Sequence, residues 1–195
     1  LIVCLFSVPF TSSDNLDSGL HLQKANVTLD LDTAHPQLIL SEDRNSVRRG
    51  EKAQDLPHSP ERFDKYSCVL GREGFTAGRH FWEVLVGSEE GWTVGVARKS
   101  ARRKACVTYN PEEGFWEVGR WGGSYKASEK DHDPPLTLSG ELKRIRVCLN
   151  YTAGRVAFFD ADQVALLYEF SGASFSGETL LPFFFVYLEG HLQLC

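Results

Sequence analysis

The 195-residue chain has no methionine and no CxxC pair, and no segment keeps a 3.6-residue apolar period. Its five cysteines (Cys4, Cys68, Cys106, Cys148, Cys195) are widely separated. That spacing argues against the closely paired ligands of a structural zinc site, so no metal is expected. Without a helical period, amphipathic helices are not expected to build the core. Basic charge is not in excess either. The formal net charge is −5, and a nucleic-acid surface needs a basic face, so no nucleic acid partner is expected. His35, His80 and His191 are scattered among strand-like and turn-like segments. No Ser-His-Asp or Cys-His order supports catalysis, so the chain is read as a non-enzyme with no catalytic residue and no cofactor.

What is present is apolar and aromatic. A hydrophobic fraction of 42% with 13 Phe and four Trp suits a rigid aromatic core. The length allows one domain of about 170 residues plus a short tail.

The first ten residues form an apolar run, too short to cross a bilayer, which takes about 20 residues. Thr11 and Ser13 follow and fit the small −3 and −1 positions of a secretory cleavage site before Asp14. Residues 1–13 are therefore read as the end of a signal peptide. The rival readings are the last part of a transmembrane helix, or a buried strand of the domain. No other stretch could span a membrane, so no stable membrane anchor is expected. In a secreted chain the remaining four cysteines could form up to two disulfides. Cys68 and Cys148 sit in apolar strand patterns and read instead as small buried hydrophobes.

Residues 14–23 are a polar linker. Beyond it, Ala25-Asn26-Val27-Thr28-Leu29-Asp30 alternates as a strand, and strands are expected at Leu38-Ile39-Leu40-Ser41, Ser46-Val47-Arg48 and Ser67-Cys68-Val69-Leu70-Gly71. In Gly78-Arg79-His80-Phe81-Trp82-Glu83-Val84, Trp82, Val84 and Val86 share one face. Trp92, Val94 and Val96 repeat that pattern, with Gly95 leaving room for close backbone approach. The polar stretch Gly87-Ser88-Glu89-Glu90-Gly91 makes the two segments read as a hairpin. Further strands are expected at Ala105-Cys106-Val107-Thr108-Tyr109, Gly114-Phe115-Trp116-Glu117-Val118-Gly119, Arg144-Ile145-Arg146-Val147-Cys148-Leu149, Gly154-Arg155-Val156-Ala157-Phe158-Phe159-Asp160, 165–170 and 181–188. Residues 121–135, ending in Pro134-Pro135, read as a long exposed loop. Short strands at this spacing predict an all-β fold, a two-sheet antiparallel β-sandwich.

These motifs together resemble the PRY-SPRY (B30.2) domain. The PRY part, over 24–77, matches in Val27-Thr28-Leu29-Asp30, Asp32-Thr33-Ala34-His35-Pro36 and Ser59-Pro60-Glu61-Arg62-Phe63. The SPRY part, over 78–195, matches in Gly78 to Val84, Trp92 to Ala97, Pro111-Glu112-Glu113-Gly114-Phe115-Trp116, Leu149-Asn150-Tyr151, Phe158-Phe159-Asp160 and Leu181-Pro182-Phe183-Phe184. Leu31 stands where the family usually has Pro, and Asn150 where it usually has Asp. The layout of leader, linker and one such domain is similar to the secreted ohanin/vespryn venom proteins. So are Asp55 through Pro60-Glu61-Arg62-Phe63 and Arg98-Lys99-Ser100 with Arg103-Lys104. The resemblance implies a jelly-roll sandwich that binds without catalysing: a secreted neurotoxin acting on a protein receptor. The alternative is a cytoplasmic recognition domain of a butyrophilin or tripartite-motif ubiquitin ligase, selecting a protein or metabolite.

Candidate site residues follow from both lines of argument. Trp82, Trp92 and Trp116 lie in strand patterns and are assigned to the core. Trp121, between Gly119-Arg120 and Gly122-Gly123, is expected on a loop. The resemblance implies an aromatic hot spot there, as in ligase members that bind antibody. Tyr125 and Tyr187 are further partner-binding candidates on neighbouring loops. Arg102, Arg103 and Lys104, with Arg98 and Lys99, form a basic run that could bind an anion, as the resemblance to butyrophilin domains implies. Asn26 and Asn150 open N-glycosylation sequons, which matter only in a secreted chain.

Overall fold

Apolar residues at every second position place one face of each long strand in the interior, and the structure stacks two sheets on those faces. It is a computed structural model that describes residues 22–195. The leader expected at 1–13, and the linker up to residue 21, lie outside the described residues. In chain order the strands are β1 (Gln23–Lys24), β2 (Leu38–Leu40), β3 (Ser46–Arg49), β4 (Cys68–Leu70), β5 (Arg79–Val86) and β6 (Trp92–Arg98). They continue with β7 (Phe115–Trp121), β8 (Ser124–Ala127), β9 (Arg144–Asn150), β10 (Arg155–Asp160), β11 (Ala165–Phe170), β12 (Leu180–Val186) and β13 (His191–Leu194). No helix occurs among the described residues, so none there is long and apolar enough to cross a membrane.

The first sheet runs β11-β10-β9-β5-β13-β3-β2, with β1 parallel to β5; the second runs β4-β12-β6-β7-β8. Every other pairing is antiparallel. The all-β sandwich is thus observed. Strand β9 alternates in burial, with Ile145, Val147 and Leu149 inside and Arg144, Arg146 and Cys148 toward solvent. On the outer side of the first sheet Arg146 makes a forked pair with Glu83 at 2.8 and 2.6 Å. Trp82, Val84, Trp92, Val94, Val96 and Trp116 join one continuous core between the sheets. The three tryptophans are 0–2% exposed, and burying such large rings is the main driving force for stacking the sheets.

Several expectations need correction. Strands β5 and β6 are not a hairpin: β5 pairs with β9 and β13, while β6 pairs with β12 and β7. The polar link from Gly87 to Gly91 crosses from one sheet to the other. Facing each other across the sandwich buries both tryptophan faces, which side-by-side pairing in a half-solvated sheet would not. Residues 105–109 form no strand, and in 25–30 only Leu29 bridges, to Gly71. The expected long loop 121–135 begins as a tight hairpin, with Trp121 ending β7 opposite Ser124 of β8. Its turn is Gly122-Gly123, both at positive φ (59° and 80°), the conformation a two-residue hairpin turn requires. The glycines expected to prevent a strand here are what close one.

The second sheet is covered on its outer face as well. Cys68, Leu70, Ala97, Phe115, Leu181 and Phe183 pack there against Phe63 and Val107, forming a second, smaller core. Its cover is irregular chain from 59–66 and 101–110.

Candidate functional site

Strand β7 places Trp116 and Val118 in the main core, so Phe115, Glu117, Gly119 and Trp121 point to the outer face. Phe115 lies beneath the second core. Where that cover ends, a cleft of about 340 Å³ opens with Glu117 on its floor, within the usual range of ~300–1,000 Å³ for ligand sites. Trp121, Tyr187 and Phe185 line it from the sheet, and Tyr66 and Tyr109 line it from the covering loops. Tyr109 and Phe185 are 5.6 Å apart between ring centroids, and Phe185 and Tyr187 are 5.0 Å apart.

Glu117 is 2% exposed. Its Oε2 accepts from the Thr93 hydroxyl at 2.5 Å and its Oε1 from the Ser128 hydroxyl at 3.0 Å. Burial pushes its carboxyl up to about 7, the two hydroxyl bonds oppose that, and the Asp133 carboxylate adds to it. Beside it the Cys68 thiol and Tyr109 hydroxyl meet at 3.2 Å, and burial raises the pKa of both. The Tyr187 hydroxyl is also raised, chiefly by burial, with Glu90 and Glu117 contributing. The arrangement is an aromatic pocket over a protonatable carboxylate held by two hydroxyls.

Of the residues singled out from sequence, Trp121 and Tyr187 come together here, both half-buried. Tyr125 does not. It packs on the opposite face of the sheet, 6.1 Å from Trp92, with the Arg120 guanidinium 5.1 Å from its own ring centroid. Alternation along β8 explains this: Tyr125 pairs with Arg120, one residue out of phase with Trp121.

The basic run does not form one open patch. Arg102 is exposed, but Arg103 is 8% exposed. Arg103 pairs with Glu61 and also donates to the Glu61 and Lys99 carbonyls at 3.1 and 2.7 Å. Lys104 donates to the Ser59 and Arg62 carbonyls. Arg98 lies 5.2 Å over the Trp116 ring. Arg103 and Lys104 thus tie the two covering segments, which carry Tyr66 and Tyr109, together.

Asn26 is exposed; Asn150 is half-buried at the end of β9, where its Oδ1 accepts from Ala153 N at 3.1 Å. Cys68 is a buried free thiol, Cys106 and Cys195 are exposed free thiols, and Cys148 is half-buried. No group of three or more metal-ligating side chains occurs among the described residues. His35 accepts from Gln37 N through Nδ1, and His80 stacks 4.4 Å from Phe75; neither faces the cleft.

Sequence reasoning missed Glu117. The available signal was a carboxylate in phase with Phe115 and Trp121 on a strand whose other face is also apolar.

The SPRY domain profile matches residues 79–194, and that of the SPRY-associated domain, PRY, matches residues 27–75. Butyrophilin subfamily 1 member A1 of Bos taurus is 44% identical over 180 residues, covering 90% of this chain and 34% of its own length. E3 ubiquitin-protein ligase TRIM11 of Bos taurus is 47% identical over 162 residues, 83% of this chain and 34% of its own. The chain therefore spans about a third of the length of these curated relatives. Among solved structures, the TRIM65 PSpry domain shares the fold with a TM-score of 0.76 at 24% identity, covering 89% of this chain and 90% of that one. Stonustoxin does so with a TM-score of 0.76 at 23% identity, covering 89% of this chain and 27% of its own. The chain belongs to the SPRY family, as a PRY-SPRY (B30.2) domain related to those of butyrophilins and tripartite-motif proteins.

Proposed function

We propose that this chain is a non-enzymatic recognition domain that grips a protein partner through the cleft at Trp121, Tyr187 and Glu117. The observation that carries this reading is the convergence of two half-buried aromatic side chains on a buried carboxylate, all held by a doubly covered sheet. Aromatic anchors in rigid, partly desolvated pockets supply most of the energy in protein interfaces. A partner captured by the wild-type domain should bind Trp121→Ala weaker by about 2 kcal/mol, roughly thirtyfold. An unchanged dissociation constant for that partner would move the recognition surface elsewhere on the domain.

The apolar run ahead of Thr11-Ser12-Ser13 supports placing that recognition outside the cell, as a secreted toxin of the ohanin/vespryn type acting on a receptor. Identities of 44–47% to butyrophilin and tripartite-motif relatives support the alternative, a domain that selects a cytosolic target. A phosphorylated metabolite is disfavoured in either case, because the cleft is lined by Glu117 and Asp133 while Arg103 and Lys104 are tied to carbonyls. The transcript upstream of Leu1 and N-terminal sequencing of the expressed protein test the choice. An initiator Met within about ten codons and a mature chain starting at Asp14 support secretion. Several hundred upstream codons encoding other domains overturn it.

A further inference from the structure

We infer that the cleft accepts the guanidinium of an arginine side chain presented by the partner. This rests on the cleft being the recognition site. Its two acidic groups, Glu117 and Asp133, have no cation among the residues that line the cleft with them. The basic side chains nearby are held at the rim. Lys126 lies 5.7 Å from the Trp121 ring centroid, and Lys65 is engaged with Cys106 beside Tyr66. Glu90 adds negative charge near Tyr187. Tyr109 and the Cys68 thiol, which also face Glu117, are neutral because burial raises both.

An isolated buried carboxylate is costly, and a matching cation removes that cost. Each Glu117 oxygen accepts one hydroxyl bond, which leaves each a second acceptor position, and Glu117 lines the cleft. The walls select among cations. Five aromatic rings surround the space, and a planar, weakly hydrated guanidinium stacks on ring faces while its fork meets a carboxylate. A lysine ammonium keeps more of its hydration and offers no planar face. Because Glu117 titrates near neutrality, with its pKa raised chiefly by burial and further by Asp133, capture of the cation displaces a proton. Arginine binding should therefore weaken as pH falls below about 7.

The test is selection of displayed random pentapeptides on the wild-type domain, with Trp121→Ala and Glu117→Gln as counter-screens. Both variants are first checked for native circular dichroism. The expected result is enrichment of arginine at one position at pH 8, lost on both variants. A synthetic enriched peptide should lose at least tenfold in affinity when arginine is replaced by neutral citrulline. Its wild-type affinity should fall severalfold from pH 8 to pH 6, with no such fall for Glu117→Gln. Peptides that need Trp121 but carry no basic residue would overturn this inference and leave the cleft as the recognition site. Enrichment of lysine in place of arginine overturns the guanidinium assignment. Recovery of no Trp121-dependent peptide overturns both readings.

Discussion

The Thr93 hydroxyl donates to Glu117 Oε2 at 2.5 Å across the β6–β7 pair, and this bond holds the carboxylate on the outer face of the second sheet. Together with Ser128 it lets a nearly inaccessible acid exist on that sheet without an ion pair.

The titration of Glu117 should be visible in the stability of the domain. Its folded pKa, about 7, lies above the ordinary 4.5, so the native state holds the proton more tightly than the unfolded chain does. That preference favours folding fully below about pH 4.5 and is lost as pH rises through about 7. The gap corresponds to about 3 kcal/mol. Glu117→Gln, which imitates the protonated acid, should match wild type near pH 4 and exceed it by about 3 kcal/mol at pH 8. Urea unfolding at both pH values checks this. Parallel stability curves would show that another group dominates.

Arg103 and Arg102 should behave in opposite ways despite their adjacency. Arg103→Ala removes two bonds to Glu61 that hold 59–66 against 101–110 and a third to the Lys99 carbonyl, and should cost about 2–3 kcal/mol. Arg102→Ala changes an exposed side chain and should stay within about 0.5 kcal/mol. Denaturant titrations of the two variants distinguish a structural clamp from a solvated basic patch, which would give two small values.

The tryptophans divide in the same manner. Trp92 is 0% exposed, and Trp92→Ala should cost about 3–5 kcal/mol. Trp121→Ala, at a half-buried strand end, should cost about 1 kcal/mol. Acrylamide quenching gives a second readout. With Trp82, Trp92 and Trp116 at 1, 0 and 2% exposure, the quenchable fluorescence should disappear in Trp121→Ala. Retained quenching would mean that one of the three is accessible.

Gly95→Ala should be poorly tolerated. A Cβ there would sit 2.0 Å from the Trp116 carbonyl oxygen, and one at Gly119 would sit 2.1 Å from that of Trp92. Both collisions are with backbone across the β6–β7 pair, so the strands themselves must move. Each substitution should cost about 2 kcal/mol or more. A wild-type melting temperature for Gly95→Ala would show that these strands lie farther apart.

Much of this molecule was legible in its sequence. Alternation in Trp82-Glu83-Val84, in Trp92-Thr93-Val94 and in Arg144-Ile145-Arg146-Val147 specifies two-faced strands, because successive side chains on a strand point to opposite sides. The large rings among them specify which face is buried. The glycine at 95 already marked a close backbone approach. Pairing was not legible. Gly87 to Gly91 is as suitable for a hairpin as for a crossing between sheets, and the choice depends on β9, β12 and β13, far away in the chain. Nor was the role of Gly122-Gly123, whose local chemistry serves a loop or a tight turn equally well.

The site shows the same division. Trp121 and Tyr187 announced themselves as aromatics next to glycine or a strand end, and their approach to one another depends on β6 lying between β7 and β12. Tyr125 had the same local appearance, but the phase of β8 sends it to the other face. Arg103 and Lys104 read in sequence as an anion-binding basic run because their partners, Glu61 and the Ser59 and Arg62 carbonyls, are about forty residues away in the chain. The sequence by itself determined an all-β sandwich with a tryptophan core, since strand periodicity and ring size are local properties. Only the tertiary structure decided that Glu117 is buried, poised near neutrality and enclosed by rings. Its burial comes from loops and strands distant in sequence, and the pKa of a carboxyl depends on how much water those distant groups exclude.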